Sequence, residues 1–120
     1  MQFQDSLCVI LLISNYISIF TAPPDPPLSL NVINATHNAV ILTWLPGFDG
    51  GLEQMYRIQY RKVDSDEGYI VVDVDTPNAT SFTVGGLELG TEYVFGIMAY
   101  NVLGGSSYLQ DAASAVTLSK

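Results

Sequence analysis

Residues 40–60 read VILTWLPGFDGGLEQMYRIQY, and this stretch decides the fold. Val40, Leu42 and Trp44 alternate with Ile41 and Thr43, the period-two pattern of a strand with one apolar face. Pro46-Gly47-Phe48-Asp49-Gly50-Gly51 then reads as a loop by composition. A second alternating run, Gln54 to Lys62, buries Tyr56, Ile58 and Tyr60 and turns Arg57, Gln59 and Arg61 outward. Each of these large residues sits where a two-sheet sandwich needs a core plug.

The same alternation extends along the chain and predicts seven strands. Strand A covers Leu28 to Ile33, and Asn34 to Asn38 turns the chain into strand B, Ala39 to Leu45. Strand C is Gln54 to Lys62. After an acidic turn at Asp64 to Gly68, strand C′ runs Tyr69 to Val74. Thr76 to Asn78 turns again into strand E, Thr80 to Val84. Strand F is Glu92 to Tyr100, with Tyr93, Phe95, Ile97 and Ala99 inward and Val94, Met98 and Tyr100 outward. Asn101 to Ser107 is a Gly/Ser loop, and strand G covers Tyr108 to Leu118. Short bursts of aliphatic and aromatic residues, punctuated by Gly, Pro, Asn and Asp, mark an all-β chain, and no helix is predicted.

The chain has 120 residues, enough for one domain with a real core. Its formal net charge is −8, with Arg57, Arg61, Lys62 and Lys120 opposing twelve acids. No basic patch exists to displace counterions from phosphates, which argues against nucleic acid and against docking to an anionic membrane surface. An acidic surface keeps a module soluble. The single cysteine, Cys8, lies outside the strand region. No disulfide can therefore form within the domain, which packing alone must hold.

Residues 1–22 differ in kind. Leu7 to Phe20 is strongly apolar, but Ser14, Asn15 and Ser18 interrupt it and it is short for a bilayer span. Its length suits a signal-peptide core ending near Thr21-Ala22. The leading MQFQDS has no Lys or Arg, which leaves a gene-model artefact and a membrane anchor as the other readings. Pro23-Pro24-Asp25-Pro26-Pro27 favours an extended polyproline arm, read here as a linker over 23–27 that joins one module to the next. The domain proper is then 28–118.

Four motifs in order carry a resemblance: V-x-L-x-W (Val40 to Trp44), Y-x-I-x-Y (Tyr56 to Tyr60), G-L-x-x-x-T-x-Y (Gly86 to Tyr93) and the A-Y-N…G ending (Ala99 to Gly104). Residues 24–118 resemble one complete fibronectin type III domain. The resemblance implies an immunoglobulin-like, seven-stranded antiparallel β-sandwich. Trp44, Tyr56, Ile58, Tyr60, Leu87 and Tyr93 would form its core, with Tyr93 as the tyrosine corner, bonded back to the turn near Leu87. A true immunoglobulin domain would carry Cys on its second and sixth strands and Trp on its third; here Trp is on the second and the cysteines are missing.

The stretch Trp44 to Gly51, W-x-P-G-F-D-G-G, resembles the B–C region of fibronectin type III domains in nephrin-like immunoglobulin-superfamily adhesion receptors. That likeness implies a non-enzymatic extracellular interaction and spacer module, a fragment of a longer cell-surface receptor. Its partners would be cell-surface proteins and neighbouring immunoglobulin-like or fibronectin type III domains. A secreted soluble or matrix protein with one such domain is the alternative. Pro-Gly and Asp-Gly-Gly also supply the turn chemistry that a wide loop needs on its own.

Asn34-Ala35-Thr36 and Asn78-Ala79-Thr80 are glycosylation sequons, each in a predicted turn and at opposite ends of the sandwich. Val94, Met98 and Tyr100 are candidates for a partner surface on strand F, and Phe48 at the B–C loop tip is another. Catalysis finds little support. His37 is the only histidine and has no nucleophile signature. The acids at Asp64, Asp66, Glu67, Asp73 and Asp75 lie on a hairpin with no concave site and lack EF-hand spacing. No cofactor, metal or small-molecule substrate is implied.

Overall fold

The computed structural model describes residues 9–13 and 16–119, with side chains from residue 20 onward. Cys8, Ser14 and Asn15 lie outside the described residues. Among the described residues ten strands occur in chain order: β1 Val9–Ile13, β2 Tyr16–Phe20, β3 Ser29–Ala35, β4 Val40–Leu45, β5 Met55–Lys62, β6 Ile70–Val74, β7 Ser81–Val84, β8 Glu92–Asn101, β9 Gly104–Gly105 and β10 Leu109–Val116. β1 and β2 pair as a separate two-stranded sheet. No helix among the described residues is long and apolar enough to cross a membrane.

Two antiparallel sheets build the domain, as expected for a sandwich. One has the order β3-β4-β7 and the other β10-β8-β5-β6, with β9 added on β8. β3 to β8 and β10 match strands A to G within a few residues at each end. Only the two-residue β9 and the β1–β2 hairpin were unforeseen. The hairpin's side chains alternate too little for the period-two test, and β9 is two glycines with no side-chain pattern at all.

The core lies between the sheets. Val40, Leu42 and Trp44 of β4 meet Tyr56 and Ile58 of β5 and Tyr93, Phe95, Ile97 and Ala99 of β8, all buried. Trp44 is 2% exposed, and its ring centroid lies 5.2 Å from that of Tyr56 in a tilted arrangement. Tyr60 sits at the rim, half-buried against Tyr93 and Phe95 at 6.1 and 5.9 Å. Leu87 plugs the connection between β7 and β8, where the Tyr93 hydroxyl accepts a hydrogen bond from the Glu88 N–H at 3.0 Å. That bond ties the loop to the strand below it.

β10 departs from its partner midway. Leu109 pairs with Ile97 and Ala113 with Phe95, so Gln110 to Ala112 bulge out opposite Gly96. A side chain at Gly96 would press on the Leu109 carbonyl at 2.9 Å. Asp111, inside the bulge, takes a left-handed φ of 46°, a conformation that Asp tolerates better than most residues.

Candidate interaction faces

Alternation along β5 and β8 places Arg57, Gln59 and Arg61 on the outer face of the larger sheet, beside Val94, Gly96, Met98 and Tyr100. Each arginine is held between a ring and a carboxylate. The Arg57 Nε donates to Asp73 Oδ1 at 2.6 Å across the β5–β6 pair, and its guanidinium carbon lies 4.9 Å from the Tyr100 ring centre. The Arg61 guanidinium lies 5.4 Å from the Tyr69 ring centre, with Nη2 3.5 Å from Asp111 Oδ2. The Tyr69 hydroxyl donates to the other oxygen of Asp111 at 2.8 Å.

These contacts fix the proton inventory of the face. The hydrogen bond that Arg57 donates to Asp73 raises its pKa, and Tyr69 and Asp111, as acceptors facing Arg61, raise that of Arg61. Tyr108 is raised mainly by burial, with Arg57 pulling the other way. The Arg57–Asp73 pair is solvent-exposed, at 39% and 55%, so it contributes about 0–1 kcal/mol to stability. What these contacts do is orient planar cationic donors over aromatic rings, a composition that suits recognition surfaces.

Among the four candidate contact residues, Tyr100 and Val94 are half-buried on this face and Phe48 is half-buried in the β4–β5 loop. Met98 requires a correction: it is 9% exposed, because its terminal methyl is covered by Gly105 of β9. Gln59, expected outward, is 6% exposed and its Nε2 has no hydrogen-bond partner. It lies over Gly96 beside the β10 bulge. Neither the covering strand nor the bulge follows from alternation along one strand.

The loop end of the sandwich forms a second face. A cleft of about 340 Å³ is lined by Leu52, Glu53, Met55, Tyr100, Asn101 and Val102. Val102 and Leu103 stand exposed at the tip between β8 and β9. Tyr100 thus belongs to both faces. Sequence reading missed Val102 and Leu103, since a Val-Leu pair followed by two glycines carries no periodic signal.

Both sequon asparagines are exposed. Asn78 occupies a turn with φ 58°, and its N–H bonds to the Gln54 carbonyl at 2.9 Å. Asn34 is corrected from a turn to β3, where it pairs with Ile41 just after a register shift. The bulge there extends the strand beyond the point where Asn-Ala-Thr suggests a turn. The acids at Asp64, Asp66 and Glu67 are exposed, with Lys62 bridging to Glu67 and Glu88. No group of three His, Cys, Asp or Glu among the described residues could hold a metal ion.

The family profile of the fibronectin type III domain matches residues 25–114. The chain is 45% identical over 83 residues to nephrin of Mus musculus, an alignment covering 69% of this chain and 6% of that protein. It is 34% identical over 83 residues to neural cell adhesion molecule L1 of Takifugu rubripes, covering 68% of this chain and 6% of that one. The chain therefore spans a small fraction of the length of these curated relatives. Among solved structures, domains A168–A170 of titin superpose with a TM-score of 0.64 at 25% identity, over 82% of this chain and 33% of that one.

Proposed function

The chain belongs to the fibronectin type III family, and on that footing we propose that it is a non-enzymatic, extracellular interaction and spacer module of a cell-adhesion receptor. The observation that carries this reading is the outer face of the larger sheet, where Arg57 and Arg61 are held over Tyr100 and Tyr69. Aromatic and arginine side chains of this kind anchor protein interfaces. The likeness to nephrin and to a protein named a neural cell adhesion molecule points the same way.

In this reading residues 28–118 form the strand domain, and the native protein continues into further modules and an anchor. Phe48, Val94 and Tyr100 contact the partner, a cell-surface protein or a neighbouring domain. Asn34 and Asn78 carry glycans, which leaves the sheet faces clear.

Live cells that express the native gene provide the test. An antibody against residues 25–114 should stain intact cells, and surface trypsin should remove the epitope. Multimers of the purified chain should bind such cells, and a double variant, Arg57→Ala with Tyr100→Ala, should lose at least tenfold in binding while its melting temperature holds. Staining only after permeabilisation, or binding indifferent to both substitutions, refutes the proposal. Peptide mass spectrometry of glycosidase-treated secreted protein should find both sequon asparagines converted to aspartate; unmodified asparagines would remove the glycan assignment.

A further inference from the structure

Residues 23–27 read as an extended polyproline linker, yet the segment is built into the domain. The Ala22 N–H donates to the Gly50 carbonyl at 3.0 Å, the Asp25 N–H to Phe48 at 2.8 Å and the Leu28 N–H to Leu45 at 2.8 Å. Ala22, Pro24 and Pro27 are buried. The segment thus runs along the β4–β5 loop as an added, irregular strand.

Two glycines of that loop make the approach possible. A Cβ at Gly50 would overlap the Ala22 carbonyl oxygen, and one at Gly47 would overlap that of Pro26. Gly50 also has a φ of 77°, a left-handed conformation open to glycine at little cost. The glycines of P-G-F-D-G-G therefore serve more than the turn they sit in.

Asn101 closes the arrangement from the opposite side. Its carboxamide is buried, with the residue 8% exposed. Nδ2 donates to the carbonyl of Ala22 at 2.7 Å and to that of Asp49 at 3.0 Å, and Oδ1 accepts from the Leu103 N–H at 2.8 Å. One side chain thus joins the N-terminal arm, the β4–β5 loop and the β8–β9 turn. Both of its N–H donors are used, and alanine there would leave the Ala22 carbonyl without its partner in a buried place, which is costly. The Pro23 ring faces Gly104, where a Cβ would come into ordinary van der Waals contact with it.

We propose that residues 22–27 are a rigid strap, locked by Asn101, which holds the polypeptide N-terminal to Ala22 in a fixed direction relative to the sandwich. A six-residue flexible linker would let its ends wander over roughly 12–15 Å. The strap removes that freedom through backbone pairing, proline stiffness and one buried amide. The inference stands apart from the adhesion reading, since it concerns how the chain enters the domain and not what the domain binds.

Amide relaxation and hydrogen exchange on the ¹⁵N-labelled full chain test it, read at Ala22 and Asp25. In the native chain both amides should show order parameters near 0.85, the value of rigid backbone, with protection comparable to the edge strands. In Asn101→Ala both should drop below about 0.6 and exchange at least tenfold faster, while the β5 and β8 amides stay protected. Gly50→Ala provides a second route, since its Cβ would press on both the Ala22 carbonyl and the Asn101 amide nitrogen and so displaces the strap with the asparagine still present, and it should loosen Ala22 first. Low order parameters in the native chain overturn the proposal, as does a Gly50→Ala chain whose Ala22 amide remains as rigid as before.

Discussion

Trp44→Ala is the sharpest test of the core. The side chain is almost wholly buried and stacks on Tyr56, and truncating a buried Trp costs about 3–5 kcal/mol. One feature lowers the figure within that range. The indole Nε1 and the Tyr56 hydroxyl are both buried with no hydrogen bond of good geometry among the described residues, although they face each other closely enough for Trp44 to lower the tyrosine's pKa. An under-satisfied buried polar group costs about 1–3 kcal/mol. Removing the indole relieves part of that burden. A net loss of about 3 kcal/mol follows, which for a domain of this size lowers the melting temperature by about 12–24 °C.

Trp44→Phe separates the two effects. It keeps an aromatic ring against Tyr56 and deletes the poorly paired N–H, so its cost should be about 1 kcal/mol. Urea unfolding followed by far-ultraviolet circular dichroism is the assay, because Trp44 is the sole tryptophan and its fluorescence disappears in both variants. The dependence of stability on urea should be unchanged. A loss below about 1.5 kcal/mol for alanine, or a phenylalanine variant as unstable as the alanine one, would refute the placement of Trp44 at the centre of the core.

Three further outcomes are expected. Tyr93→Phe removes the acceptor of the Glu88 N–H and should cost about 1–2 kcal/mol in urea unfolding, with amide exchange quickening in the β7–β8 connection. Gly96→Ala, pressed against the Leu109 carbonyl, should cost about 1–3 kcal/mol, whereas Gly68→Ala has open space and should be neutral or stabilising by about 0.4–1 kcal/mol; equal melting temperatures would discredit the bulge geometry. Tyr56 has its pKa raised above 10.0, chiefly by burial, with the Asp49 charge adding and Trp44 opposing. Its folded pKa exceeds the unfolded value, so its contribution is complete below pH 10 and is lost as pH rises through the folded pKa. Stability should therefore decline above about pH 10, and Tyr56→Phe should flatten that decline; an unchanged alkaline profile would contradict the assignment.

Much of the fold is legible in the chain because a strand's faces are set by its own alternation. Val40, Leu42 and Trp44 point one way whatever they pack against, and so do Tyr93, Phe95 and Ile97. Faces that depend on a neighbour are harder. Met98 alternates outward with Val94 and Tyr100, yet it is buried, with its terminal methyl against Gly105 of β9 beside it. Arg57 is legible as an outward residue, but its seat between Asp73 and Tyr100 requires the registers of two strand pairs at once.

The sequence by itself determined where the strands of the domain lie, which faces they turn inward and the aromatic core, since local alternation and turn chemistry act over a few residues. It also determined that no disulfide holds the domain, because the strand region contains no cysteine. The tertiary structure decided the rest. It turned a proline arm into part of the domain by bringing Ala22, Gly50 and Asn101 together from three distant segments. Those contacts join residues far apart in the chain, and no local pattern encodes them.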